Sequence, residues 1–301
     1  MPRPLLALAL LVGCSSAAAA PATLTIGGGA IEVAIEDGPL DVSRDQLLAW
    51  ITTAARGVTA YFGKFPVAHY RLVIEPVAGR SGVLSGTTWA HGGAHTRVHV
   101  GEHTTAADLE RDWVMTHEMV HTGFPQQEPT HHWIEEGIAT YVEPLARTWI
   151  GHYPAGKLWG DLVDGLPNGL PRAGDRGLDH THTWGRTYWG GALFCLLADL
   201  EIRDRTGGRR GLVDALRGIL AAGGNDQVDW PIERAFQVGD KAIGVPVLEE
   251  LYRRMKDAPV APDLAALWRG LGVEIRQGAL QLDEHAPRAA TRRAISAPPA
   301  P

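Results

Sequence analysis

His117-Glu118-Met119-Val120-His121, followed by Trp133-Ile134-Glu135-Glu136-Gly137-Ile138-Ala139-Thr140-Tyr141, is the stretch on which the reading of this chain turns. On a helix, residues i and i+4 share a face, so the imidazoles of His117 and His121 can reach one ion. Zn²⁺ takes neutral imidazole nitrogen at about 2.0–2.1 Å and tolerates a tetrahedral site with one open position. Glu118 projects about a quarter-turn away and can address a water on the ion without ligating it. Thr105 and Asp108 give the helix a start like a capping box. Leu109, Trp113, Thr116 and Val120 form one face of it, and Gly123 and Pro125 stop it. A helix with two surface histidines is the plainer reading; the cap, the apolar face and the preceding strand weigh against it. Glu135, Glu136, His131 and His132 are the candidates for a third ligand, and a carboxylate completes a His₂Glu catalytic set better than a third imidazole does.

The second stretch resembles the Trp-x-x-Glu-Gly-x-Ala signature on the second helix of gluzincin peptidases. In that pattern the Glu before Gly binds zinc, which implies Glu136 as third ligand and leaves Glu135 as a helix carboxylate. Fourteen residues separate His121 from Glu136, which implies a tight loop through Gly123 to Pro129. Arg186-Thr187-Tyr188-Trp189-Gly190-Gly191-Ala192, then Leu197 to Arg203, then Thr206-Gly207-Gly208, is similar to a helix of the glycyl aminopeptidase family. There a Tyr at the position of Tyr188 polarises the scissile carbonyl. These motifs cover roughly residues 85 to 220.

The resemblance implies a thermolysin-like α+β fold, with a small mixed-sheet upper lobe, a helical lower lobe and zinc in the cleft between. It implies a peptide or protein substrate. Glu118 is then the general base, and Tyr188 shares the developing oxyanion charge with Zn²⁺. Departures stand beside the likeness. The chain leaves no room for the large β-domain and PDZ module usual in that family. Related aminopeptidases carry an acidic residue on the edge strand that grips the substrate amine, whereas the expected edge strand here, Gly86 to His91, has no carboxylate. Gly190 stands where relatives often have Lys.

Other residues bound the reading from outside. The chain has 301 residues, 45% hydrophobic and 21% charged, which is ordinary globular composition. A net charge of −6 without a basic run excludes nucleic acid as a natural partner. Arg3 and the apolar run Leu5 to Val12 read as an export signal too short to span a membrane. Ala17 to Ala20 suit ordinary signal peptidase. Leu11-Val12-Gly13-Cys14 resembles a bacterial lipobox, which would lipidate Cys14 and anchor the chain to the membrane. Either way the expected destination is the periplasm or envelope. Cys195 lies in an apolar helical run and reads as a buried inert thiol, so no disulfide is expected.

The expected division is a signal over 1–20, an α+β lobe over 21–125 that includes the metal helix, a mainly helical lobe over 126–296 and a disordered tail over 297–301. Residues 150–183, rich in Gly, Pro and Asp, read as a long loop over the site, and a helix follows from Trp184 to Arg205. Glu143 reads either as a partner of a metal ligand or as a helix-pairing carboxylate. His180 and His182 read either as oxyanion assistants or as loop histidines. The rival from another class is a non-catalytic envelope lipoprotein that keeps the fold. The intact Glu118 argues against it, because a structural metal site needs no general base. Aminopeptidase and endopeptidase activity, and the oligomeric state, are left open by the residues.

Overall fold

A computed structural model describes residues 21–299. The expected signal, with Cys14, lies outside them, as do the last two residues of the tail.

The chain opens on a hairpin of β1 (Ala22–Ile26) and β2 (Gly29–Ile35). Gly27 and Gly28 turn it at φ 57° and 87°, a region that L-residues with side chains avoid. Helix α1 (Arg44–Phe62) starts with a full capping box, Ser43 and Gln46 each satisfying the other's backbone. Strands β3 (His69–Val77), β4 (Val83–Trp89) and β5 (His95–Gly101) complete a five-stranded sheet of order β1-β2-β3-β5-β4. β2, β3 and β5 run parallel, and β1 and β4 are antiparallel edges. Alternation sends Ile31, Val33, Tyr70, Leu72, Ile74, Val98 and Val100 into the core. Glu32, Arg71, Glu75 and Arg97 form ion pairs on the opposite face.

The single helix expected from Thr105 to Gly123 is two. Helix α2 (Ala106–Arg111) has the expected Thr105–Asp108 box, but the chain turns extended at Asp112 before α3 (Val114–His121). The Asp112 carboxylate accepts the N–H groups of Val114 and Met115 and the indole N–H of Trp50, so it starts a new helix rather than continuing the old one. Trp113, expected on the apolar face, is consequently exposed.

Helix α4 (His132–Trp149) follows a 3₁₀ turn over Pro129–His131. The expected loop over residues 150–183 contains α5 (Ala155–Gly165), which buries Leu158, Trp159 and Leu162 on one face. A π-helical turn, Gly185–Gly190, then runs directly into α6 (Gly191–Thr206). Gly207 in the left-handed region ends α6 as expected. α7 (Leu212–Ala221), α8 (Ile232–Ile243) and α9 (Val247–Met255) pack behind it, and α10 (Leu264–Leu271) follows. The small hairpin β6 (Val273–Arg276) and β7 (Ala279–Leu282) and a last helix α11 (Ala289–Ser296) close the described chain.

Sheet and helices share one connected apolar core. Within it α4 crosses α6 at backbone contact: a Cβ on Gly191 would lie 2.1 Å from the Trp133 carbonyl oxygen and 2.6 Å from the Gly137 Cα. No helix among the described residues is long and apolar enough to cross a membrane.

Candidate metal centre

Three elements converge on one point. α3 brings His117 and His121, α4 brings Glu136, and the π turn brings Tyr188. Oε2 of Glu136 lies 3.1 Å from His117 Nε2 and 3.7 Å from His121 Nε2. Donors about 2.0–2.1 Å from a tetrahedral zinc stand roughly 3.3 Å apart, so this donor set fits the ion in chemistry and in spacing. Among the described residues these three are the group so arranged. Gly137, next to Glu136, is what lets α4 press against α6, because a Cβ there would overlap the Gly191 backbone at 2.3 Å.

Glu118 points to the sheet side of the cluster. A Cβ on Gly86 of the edge strand would come 2.4 Å from Glu118 Cγ, so the glycine makes room for this carboxylate. Thr88 Oγ1 donates to Glu118 Oε2 at 2.7 Å. That uses the only proton of Thr88, so Thr96 Oγ1 donates to Thr88, at 2.7 Å. Tyr70 donates its hydroxyl to Thr96. A chain of hydroxyls thus crosses β3, β5 and β4 and ends on Glu118. Thr88, Thr96 and Tyr70 were not singled out in the sequence, where nothing local marks them.

Burial pushes the Glu118 carboxyl up from its ordinary range, opposed by His117 and the Thr88 hydrogen bond. Burial acts on Glu136 in the same sense, but hydrogen bonds from His117 and then His132 outweigh it and hold that carboxyl well down. Burial lowers His121 to about 4, which keeps the imidazole neutral as a ligand requires. Hydrogen bonds to Glu135 and then Glu136 raise His132 to about 10.

Tyr188 stacks over His117 with ring centroids 6.2 Å apart. Burial, then the carboxylates of Glu136 and Glu118, raise its hydroxyl to about 12, so it stays a proton donor. Gly190 is buried, and a Cβ would sit 3.2 Å from Leu178, which leaves little space for the Lys of relatives. Glu143 ion-pairs with Arg147 at 2.7 Å inside α4, the helix-pairing alternative. His180 bonds Asp257 at 2.8 Å. Neither it nor His182 lines the cavities at the cluster. Cys195 is buried and unpaired.

Two cavities meet at His117 and Tyr188. A polar one of about 450 Å³ holds Glu118, His121, Glu135, Glu136 and the edge strand. Asp226, from the segment after α7, also lines it, and burial raises its carboxyl to about 7. The other, of about 920 Å³, lies between α3, α4, α5 and the π turn, with Trp113, Trp184, Trp189, Tyr153 and Leu162 in its wall.

No family model matches the chain, and no curated protein does. Solved structures do. An aminopeptidase N family protein from Idiomarina loihiensis superposes with a TM-score of 0.61 at 13% identity, over 85% of this chain and 50% of that one. An M1 zinc metallopeptidase from Deinococcus radiodurans gives 0.51 at 17%, over 81% and 52%. A two-domain M1 zinc metallopeptidase variant bound to L-arginine gives 0.54 at 17%, over 81% and 52%. The chain therefore spans about half the length of the structures it resembles. It shares its fold with part of these M1 zinc metallopeptidases.

Proposed function

We propose that this chain is a zinc-dependent peptidase that cleaves peptide bonds by Glu-assisted attack of water. The observation that carries the reading is the shared Glu136 oxygen between two histidines of α3, with Glu118 beside them on the same helix turn. His117, His121 and Glu136 would hold the ion. When bound, zinc supplies Lewis acidity, making a water acidic near neutral pH. Glu118 Oε2 is held by Thr88, which leaves Oε1 to take the proton of the attacking water and pass it to the leaving amine. The Tyr188 hydroxyl donates to the carbonyl oxygen as charge builds there.

The substrate side follows from the two cavities. A peptide crossing the cluster passes from the polar cavity into the larger one, whose wall of Trp113, Tyr153, Trp184 and Trp189 offers contact to an aromatic side chain beside the scissile bond. β4 ends the sheet without a carboxylate, and Thr88 bonds Glu118 there. This favours cleavage inside a peptide over capture of a free amino terminus.

Glu118→Gln tests the mechanism. Gln is near-isosteric and cannot take the proton, so hydrolysis of a peptide library should vanish while zinc content stays at about one per chain. Full activity in that variant would sink the mechanism, and loss of the metal would make Glu118 structural.

A further inference from the structure

A carboxylate ligand has two oxygens, and those of Glu136 face different partners. Oε2 faces His117 and His121. Oε1 lies 3.3 Å from Nε2 of His132. The other ring nitrogen of His132, Nδ1, is 3.2 Å from Glu135 Oε2. Glu135 Oε1 in turn accepts the backbone N–H of Gln127 at 3.2 Å. A continuous series thus runs from Glu136 through His132 and Glu135 to the loop that joins α3 to α4.

We propose that His132 is a positioning residue of the metal centre: it occupies Glu136 Oε1, so that Oε2 alone is presented to the ion. Glu135 holds His132 in that role. The proposal rests on the metal reading of His117, His121 and Glu136.

The helix dictates the arrangement. His132 opens α4, and its i+3 and i+4 neighbours, Glu135 and Glu136, stand above it on one face. The backbone at this point is fixed from the other side. His131 meets the Tyr252 hydroxyl at 3.1 Å, and Trp133 donates its indole N–H to Asp179 at 2.8 Å. His132 therefore has little freedom to swing away, although half its side chain is exposed.

Its two ring nitrogens face carboxylate oxygens on opposite sides, Nδ1 toward Glu135 and Nε2 toward Glu136, so the imidazole bridges the two carboxylates. Released from His132, Glu136 could turn about its terminal torsion and offer either oxygen or both. The outer partners of metal ligands typically contribute 10–100-fold to metal affinity by preventing such motion.

Zinc dissociation constants, measured on the full chain by competition with a chromophoric chelator, test this. His132→Ala should weaken zinc binding about tenfold or more. His132→Gln, which can still donate toward Oε1, should recover much of that loss. Thermal unfolding of the metal-free protein, measured on all three, separates a loss of fold from a loss of ligand order, since His132 also partners the carboxylates of Glu135 and Glu136. The visible spectrum of the Co²⁺-loaded protein should change in His132→Ala, reporting an altered ligand field. A folded His132→Ala protein with zinc affinity within twofold of wild type and an unchanged Co²⁺ spectrum overturns the proposal. Unchanged zinc binding in His117→Ala would instead remove the metal reading itself, which separates the two failures.

Discussion

Two carboxylates one helix apart are treated in opposite ways by their surroundings. Glu118 is buried against a hydroxyl chain and pushed up; Glu136 is surrounded by imidazoles and held down. Only the first is suited to taking and returning a proton, and only the second to staying charged beside a cation. Tyr188 completes the set from a third element. Its hydroxyl should matter only once negative charge builds on the carbonyl oxygen, so Tyr188→Phe should lower kcat with little change in KM or zinc content. Losing one oxyanion donor typically costs about 2.7–4 kcal/mol, or roughly 10²–10³ in rate. If Tyr188 only packs between Trp184 and His117, Phe fills the same space, and a variant within about threefold of wild type decides for packing.

At this scale the sequence was legible where the chemistry is local. His117, Glu118 and His121 lie within one helical turn and a half, and Glu136 sits in a short motif. Thr88, Thr96 and Tyr70 come from three strands, and only the register of the sheet puts their hydroxyls in line. His132 was visible as a rival ligand by its spacing, but which oxygen of Glu136 it meets depends on side-chain torsions that no spacing encodes.

Elements show the same division. The Thr105 cap of α2, the edge strand β4 and the helix carrying Glu136 follow from pattern and motif. The split at Asp112 does not. An Asp inside an apolar period looks like a tolerated helix residue until Trp50, 62 residues earlier, is seen to hold its carboxylate. α5 was hidden by the Gly and Asp content of its surroundings, although Leu158, Trp159 and Leu162 carry a helical spacing. Its presence turns an expected loop into the far wall of the aromatic cavity. Trp184, 63% exposed at the mouth of that cavity, is the residue to remove. Trp184→Ala should lower kcat/KM about tenfold for peptides with Phe or Trp beside the scissile bond, the scale of a lost aromatic contact worth ~1.4 kcal/mol. Peptides with Ala there should be little affected. An equal loss for both would place Trp184 outside the substrate's path.

Across the molecule, strands and helices draw on one apolar core, so an ion at the candidate centre would add to the stability of the fold rather than create it. Chelation should therefore lower Tm without unfolding the protein at room temperature. A ligand present at a thousand times its Kd stabilises by about 4.1 kcal/mol, and for a chain of this size that is roughly 10 °C. Unfolding on chelation, seen by far-UV circular dichroism, would mean that the core depends on the ion. The expected export signal, with Cys14, precedes this core in sequence. Mass spectrometry of the purified chain should find it starting at a lipidated Cys14; a start near Ala20 would refute the anchor and leave export standing, and an intact Met1 would refute both.

The π turn also has a consequence for chain length. An i→i+5 turn holds one residue more than an α turn, so it behaves as a single-residue insertion carried inside a helix. α6 is pinned to α4 at Gly137 and Gly191 and cannot shift to absorb a deletion. Loss of Trp189 would leave α6 in place and rotate Tyr188 by about 100° away from His117. Loss of Thr187 would keep Tyr188 in phase and rotate Trp184 out of the cavity mouth instead. The position of a one-residue gap in this turn thus decides whether the oxyanion donor or the aromatic wall is lost, even between chains of the same length and fold.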